Sequence, residues 1–292
     1  MNKVLDILMN IDRRVIFLCI ALSVIIPLLI PVYFPEKPTK IVQAVFDAID
    51  ELPDGSRVLV SFDYDPPSEP ELQPMADALM RHLCQKNHRI YIMALWPMGQ
   101  SMSVSTIESV IKKDFPNYKS GRDYVNLGFK SGAQGVINVV LTNFRGLYFT
   151  DVEGRSLNDL EIMKGVQNLQ QMDLIINISA GTPGLKEWIQ FAGDKANIPI
   201  VGGSTAVQAP LLYPYYPRQL VGLMGGLKGA AEFEAALGDA YPRFSDNSYK
   251  RAIRNMSPQA IAHLVIVAFI LLGNITYFVE RRRQARGGSD NG

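Results

Sequence analysis

The stretch RVLVSFDYDPPSEPELQPMADALMRHLCQKNHRIYIMAL, Arg57–Leu95, decides the fold class. Arg57–Phe62 is a short apolar run between the turn at Gly55 and a group of acids, which is the pattern of a strand buried on both faces. Ser68-Glu69-Pro70-Glu71 reads as a capping box, with Ser68 as N-cap and Glu71 at N3. A helix is expected from there to about Lys86, and Arg89–Leu95 is a second apolar run of strand length. Strand, helix and strand in succession require a crossover connection, and so a parallel pair.

The same alternation continues downstream. Helix is expected near Val104–Lys113 and over Ser131–Val140, strand over Tyr124–Phe129 and Leu147–Val152, and helix again over Leu157–Leu169. Asp173–Ser179 (DLIINIS) is the clearest strand in the chain. Thr182-Pro183 is a helix start, with threonine as N-cap and proline at N1. Ile198–Val201 reads as a short strand ended by Gly202-Gly203, and Gln219–Leu237 as a last long helix. Together these predict an α/β domain, Rossmann-like or flavodoxin-like, with three layers and a mainly parallel sheet.

Two apolar segments bracket that domain. Val15–Phe34 (VIFLCIALSVIIPLLIPVYF) and Ala260–Val279 (AIAHLVIVAFILLGNITYFV) each have the ~20-residue length of a membrane-crossing helix. The expected division is a tail at 1–14, a transmembrane helix at 15–34, a soluble α/β domain with its connectors at 35–258, a second transmembrane helix at 259–280 and a basic tail at 281–292. The first segment is too long for a signal-peptide core and lacks a small-x-small exit, so it reads as an uncleaved signal anchor. Pro27 and Pro31 are expected to kink or end its outer half. Lys3, Arg13, Arg14, Arg281, Arg282, Arg283 and Arg286 lie on the terminal sides of the segments, against Lys37, Lys40, Lys250, Arg251 and Arg254 on the domain side. That balance predicts both termini in the cytoplasm and the domain on the opposite side. His263 is expected at the interface, and Asn274 and Thr276 against a neighbouring helix.

The chain of 292 residues is 48% hydrophobic with a formal net charge of +1, so its charge makes no case for nucleic-acid binding. Cys19 lies in the first apolar segment and Cys84 is alone in the domain, which leaves no intradomain disulfide and no cysteine-based zinc site. The three histidines, His82, His88 and His263, form no H-x-x-x-H pair. G-x-S-x-G, G-x-x-x-x-G-K-[ST] and G-x-G-x-x-G are all absent.

In a parallel sheet, ligands gather beyond the C-terminal strand ends. Those ends bring Asp63 and Asp65, then Trp96, then Lys130 and Ser131, then Ser179, Gly181 and Thr182, and finally Gly202, Gly203, Ser204 and Thr205. The last two groups are small-residue turns into helices, either a cradle for a phosphate or carboxylate or ordinary strand-to-helix turns. Tyr213-Pro214-Tyr215-Tyr216-Pro217 is an aromatic, proline-stiffened loop, suited to protein contact or to covering the core. Gly222, Gly225, Gly226 and Gly229 fall on one face of the expected last helix, as close approach to the sheet or to a second subunit requires.

Asp63-Tyr64-Asp65 after a hydrophobic strand resembles the first motif of the haloacid-dehalogenase-type phosphatases. The resemblance implies bound Mg²⁺, Asp63 as nucleophile, Asp65 as general acid/base and Ser179 in the place of the family's second-motif Ser/Thr. Pro66 and Pro67 depart from the family's usual loop. No acidic pair ends a later strand, and Asp194 has no second acid following it.

The function expected from these features is a membrane-tethered, non-catalytic α/β module, an assembly or ligand-sensing subunit of a larger membrane complex. Its expected partners are the bilayer, other membrane-protein subunits or further copies of itself, and a small anionic ligand, with no metal or cofactor. The alternative is a Mg²⁺-dependent hydrolase of an anionic or phosphorylated substrate that uses Asp63 and Asp65.

Overall fold

Six strands form one all-parallel sheet: β1 Arg57–Asp63, β2 Arg89–Ala94, β3 Tyr124–Phe129, β4 Leu174–Ser179, β5 Ile200–Ser204 and β6 Gly222–Gly225. A parallel strand covered on both faces is buried, and β1 after Arg57 and all of β4 are, with Ser61, Asp63, Asn177 and Ser179 as their polar positions. The computed structural model describes residues 12–287; Lys3 and the tail beyond Gly287 lie outside the described residues. The strand order is β3-β2-β1-β4-β5-β6. The chain therefore starts at the centre, winds to one edge, returns and winds to the other, with its switch point between β1 and β4.

Among the described residues the α-helices of four residues or more are α1 Arg13–Leu29, α2 Lys40–Asp50, α3 Glu69–Gln85, α4 Gly99–Thr106, α5 Gln134–Val140, α6 Phe144–Leu147, α7 Leu185–Trp188, α8 Ala209–Leu212, α9 Gly226–Ala240 and α10 Arg251–Gly287. Within the α/β unit, Pro35–Ile253, α3 packs on α9 and α4, and α2 lies on β6. On the other face α5 to α8 and the irregular chain between them enclose a core that includes Tyr91, Leu127, Phe144, Ile175 and Trp188. The three-layer α/β expectation is met at that level.

Several local expectations are corrected. The capping box does not form: Ser68 is itself helical and its Oγ donates to Asp65 Oδ1 (3.1 Å), while Glu71 Oε1 accepts from the Ala206 N–H (2.7 Å). Leu147–Val152 is not a strand, because Asp151 Oδ1 accepts from the N–H groups of Glu153 and Arg155 and folds the chain into a turn. Leu157–Leu169 is not a helix but a series of short turns, with Gly165 at φ 75°. Its helix-like spacing arose because Leu157, Leu160, Ile162, Met163, Val166 and Leu169 each anchor the irregular chain to the core. Conversely, α2 lies outside the elements expected from the sequence, although Val42, Val45, Phe46 and Ile49 form its buried stripe.

The expected last helix divides in two. Gly222–Gly225 is the edge strand β6, paired in register with Val201–Ser204, and α9 begins only at Gly226, at φ 63°. Gly222, Gly225, Gly226 and Gly229 therefore do not share a helix face. At Gly222 a Cβ would lie 2.5 Å from the Val45 backbone nitrogen, so its absence lets α2 rest directly on the strand. Gly202 and Gly203 likewise do not end β5. They lie inside it, Gly202 against Leu185 and Gly203 against Met75.

The second compact unit comprises residues 12–34 and 254–287. Of the two spans expected, one is found among the described residues: Arg251–Val279 is long and apolar enough to cross a membrane. The first segment forms α1, a helix of 17 residues. At 1.5 Å per residue it reaches about 25 Å, short of a ~30 Å bilayer core. Pro27 lies in its last turn, and residues 31–39 have no regular structure, so proline ends the helix early.

Candidate functional site

The register at the switch point sets Ser61 against Asn177 and Asp63 against Ser179, so these side chains share one face of the sheet. The Asp63 carboxylate is completely buried, at 0% exposure. Its Oδ1 accepts from the Leu95 N–H (2.7 Å), and its Oδ2 from Asn177 Nδ2 (2.6 Å) and Trp188 Nε1 (3.1 Å). Ser61 Oγ lies 2.9 Å from both oxygens. Burial pushes the carboxyl up to about 6, against the hydrogen bonds from Leu95, Ser61, Trp188 and Asn177, which hold it down. The group ties together β1, the end of β2, β4 and α7.

Asp65 stands apart from this cage. It is partly exposed and accepts from Ser68 Oγ. Between the two acids, Tyr64 is buried and its hydroxyl donates to Gln73 Oε1 (2.8 Å). One carboxylate of the D-x-D motif is thus enclosed and the other sits on a surface turn. Among the described residues, no group of three or more His, Cys, Asp or Glu is arranged to hold a metal ion.

The turn after β4 builds an open site. Ser179 Oγ accepts from the Leu185 N–H (3.0 Å), and the Gly184 N–H donates to Glu187 Oε2 (2.8 Å). These bonds start α7 at Leu185, so Thr182 and Pro183 are not its N-cap and first residue, as the sequence expects. Gly181 and Thr182 stay outside the helix. With Ser179 they form one wall of a cleft of about 290 Å³, closed on the far side by Gln208, Leu211 and Tyr215. Trp96 braces this wall: its Nε1 donates to Pro183 O (2.7 Å), and a Cβ at Gly181 would lie 3.4 Å from its ring.

The strand-end residues are thus brought together in part. Ser179, Gly181 and Thr182 line the cleft, and Ser204 is buried one strand away in register with Ser179. Thr205 opens the turn into α8, its carbonyl accepting from the Gln208 and Ala209 N–H groups. From the Tyr-Pro loop, Tyr215 joins the cleft, while Tyr213 stands half exposed. Lys130 lies elsewhere, its Nζ 5.3 Å from the centre of the Tyr148 ring. Asn177, Trp188, Lys186, Gln208 and Leu211 were not singled out from sequence. Only Asn177 carried a local signal, as a polar residue inside the apolar run LIINIS.

No protein-family model matches this chain, and no curated protein matches it. Its class is defined by its own features: a six-stranded parallel α/β domain with a strand-end cleft, followed, among the described residues, by one apolar helix long enough to cross a membrane.

Proposed function

We propose that the chain is a membrane-tethered, non-catalytic α/β module, acting as a ligand-sensing or assembly subunit of a larger membrane complex. The observation that carries this reading is the helix α10. It is apolar over a bilayer's thickness, and Leu264, Val267, Ile270, Leu271 and Phe278 stand exposed along it. Its first turn is built into the α/β unit, where the buried Glu234 accepts from the N–H groups of Ala252 (2.8 Å) and Ile253 (3.0 Å). Phe17, Leu18, Ile26 and Leu28 are exposed on α1. We read α1 as a second membrane-associated segment, giving attachment at both ends with the termini in the cytoplasm.

The strand order matches that of Rossmann-type sheets rather than flavodoxin-type ones, although no glycine fingerprint follows β1. The enclosure of Asp63 favours a non-catalytic role. A carboxylate whose two oxygens are filled by donors is not free to attack a substrate, and the Mg²⁺-dependent hydrolase would need those bonds released.

The test is the mass and composition of the native assembly, after mild detergent extraction of the full chain by a tag on its C-terminal tail. A fixed stoichiometry, with companions or as a homo-oligomer, supports the proposal. A companionless monomer that cleaves phosphate esters with Mg²⁺ overturns it. Release of the full chain from membranes by alkaline carbonate overturns the tether.

A further inference from the structure

We propose that the cleft between the β4–α7 turn and α8 binds a small organic anion, its carboxylate or phosphate held by Lys186 and the cleft hydroxyls and its apolar body laid on Leu211 and Leu212. This rests on the ligand-sensing reading above and gives that ligand a chemical class.

The cleft is lined by one cationic side chain, Lys186, together with hydroxyls and the Gln208 amide. Lys186 lines it, is exposed, and takes part in no ion pair among the described residues. Its neighbour Glu187 is buried and committed to the Gly184 N–H, and among the described residues no carboxylate lines the cleft. Ser179 Oγ accepts from Leu185, which leaves its own hydrogen uncommitted.

Ser204 lies behind the cleft wall, next to Ser179 in the sheet and not itself lining the cleft. Its hydroxyl is completely buried and has no hydrogen-bond partner, a condition that costs about 1–3 kcal/mol if nothing satisfies it. Register places it beside Ser179 on the same face. Gly202, two residues earlier on that face, looks onto Leu185, a wall of the cleft, so the Ser204 hydroxyl lies on the cleft side of the sheet. The Ser179 and Thr182 hydroxyls, which line the cleft, and the unpaired Lys186 ammonium complement the oxygens of an anion.

The apolar half is equally defined. Leu212 is buried while Leu211 is 65% exposed at the mouth, and Tyr215, its hydroxyl accepting from Gln190 Nε2 (3.1 Å), completes the wall. A volume of about 290 Å³ lies at the small end for ligand sites, and so admits a compact molecule.

The test uses the full chain in detergent with three probes of one shape: hexanoate, hexyl phosphate and uncharged hexanamide. Isothermal titration is expected to show saturable binding of at least one anion and none of hexanamide. Lys186→Gln is expected to weaken that binding at least about tenfold. Leu211→Glu, which places a negative charge at the mouth, is expected to abolish it. Both side chains are exposed, so the melting temperature of the unliganded variants stays unchanged. Hexanoate alone binding assigns a carboxylate, and hexyl phosphate alone a phosphate. Equal binding of hexanamide, or undiminished binding by Lys186→Gln, overturns the anion and leaves a sensing cleft. No binding of any probe overturns the cleft as the site, while the tether and the assembly are judged separately by membrane extraction and native mass.

Discussion

Asn177 Nδ2 donates to Asp63 Oδ2 at 2.6 Å, joining the polar residue inside β4 to the carboxylate that ends β1. The bond crosses the switch point, where the two halves of the sheet meet, and it is fully buried. A slip of either strand would leave a buried carboxylate and a buried amide unpaired, so this pair helps fix the register at the centre of the fold.

Asp63→Asn is expected to lower stability by about 2–4 kcal/mol, because the amide nitrogen must face at least one of the donors that now point at the carboxylate. The pH dependence gives a second signature. The folded state holds this proton up to about pH 6, against 3.8 for an ordinary aspartate, so the group's contribution is full below about pH 4 and is lost as pH rises through 6. The loss is about 3 kcal/mol. Urea denaturation of both proteins from pH 4 to 7 measures the effect. An unchanged midpoint in the variant would show that the cage carries no stability.

Glu234 holds the start of α10, and burial pushes its carboxyl up to about 7 despite the N–H groups of Ala252 and Ile253, which hold it down. Its contribution is therefore present below about pH 4.5 and declines as pH rises towards 7. Glu234→Gln is expected to cost about 1–2 kcal/mol, since one of the two N–H groups then faces an amide nitrogen. Amide hydrogen exchange at Ala252 and Ile253 should accelerate in the variant. Equal exchange rates would mean the first turn is held by something else.

His82 works in the opposite direction. Its ring is stacked on Phe46 with centroids 4.4 Å apart, and burial holds its pKa down to about 4 even with Asp50 Oδ1 at 3.1 Å from Nε2. The neutral ring thus stabilises the fold above about pH 6.5, and that contribution is lost as pH falls through 4. A proton NMR titration at pH 6 should find the ring neutral. A titration midpoint near 6.5 would show a solvated ring and contradict the packing.

Gly222→Ala is expected to destabilise the protein by about 1–3 kcal/mol, through overpacking against α2. The new Cβ would stand 2.5 Å from the Val45 nitrogen and 2.8 Å from its Cγ2. Gly154→Ala serves as the contrast, since its Cβ would meet nothing within 4 Å and only its φ of 78° is strained. A thermal melt of the two variants separates them, and a larger loss at Gly154 would refute the close approach of α2 and β6.

The strand-end site was partly legible. The strand assignment put Ser179, Gly181 and Thr182 just beyond the end of one apolar strand, and in the folded chain they line one wall of the cleft. The opposite wall was not legible. Gln208, Leu211 and Tyr215 belong to the β5–β6 connection, and only the folded chain brings that connection beside the β4–α7 turn. Nor did the D-x-D spacing reveal that Asp63 faces inward while Asp65 lies on a turn.

By itself the sequence determined the class of fold, since strands covered by helices on both faces must be apolar and must alternate with those helices. It determined too that α10 suits a bilayer, which is a matter of length and composition. The tertiary structure alone decided that Gly222–Gly225 is a strand, because four residues so rich in glycine have little preference of their own and take their conformation from backbone bonds to β5. It also decided that Leu157–Leu169 is irregular, since anchoring to a curved core can imitate the spacing of a helix. The environment of Asp63 was decided in the same way, by donors from four separate segments whose convergence is a property of the packed sheet.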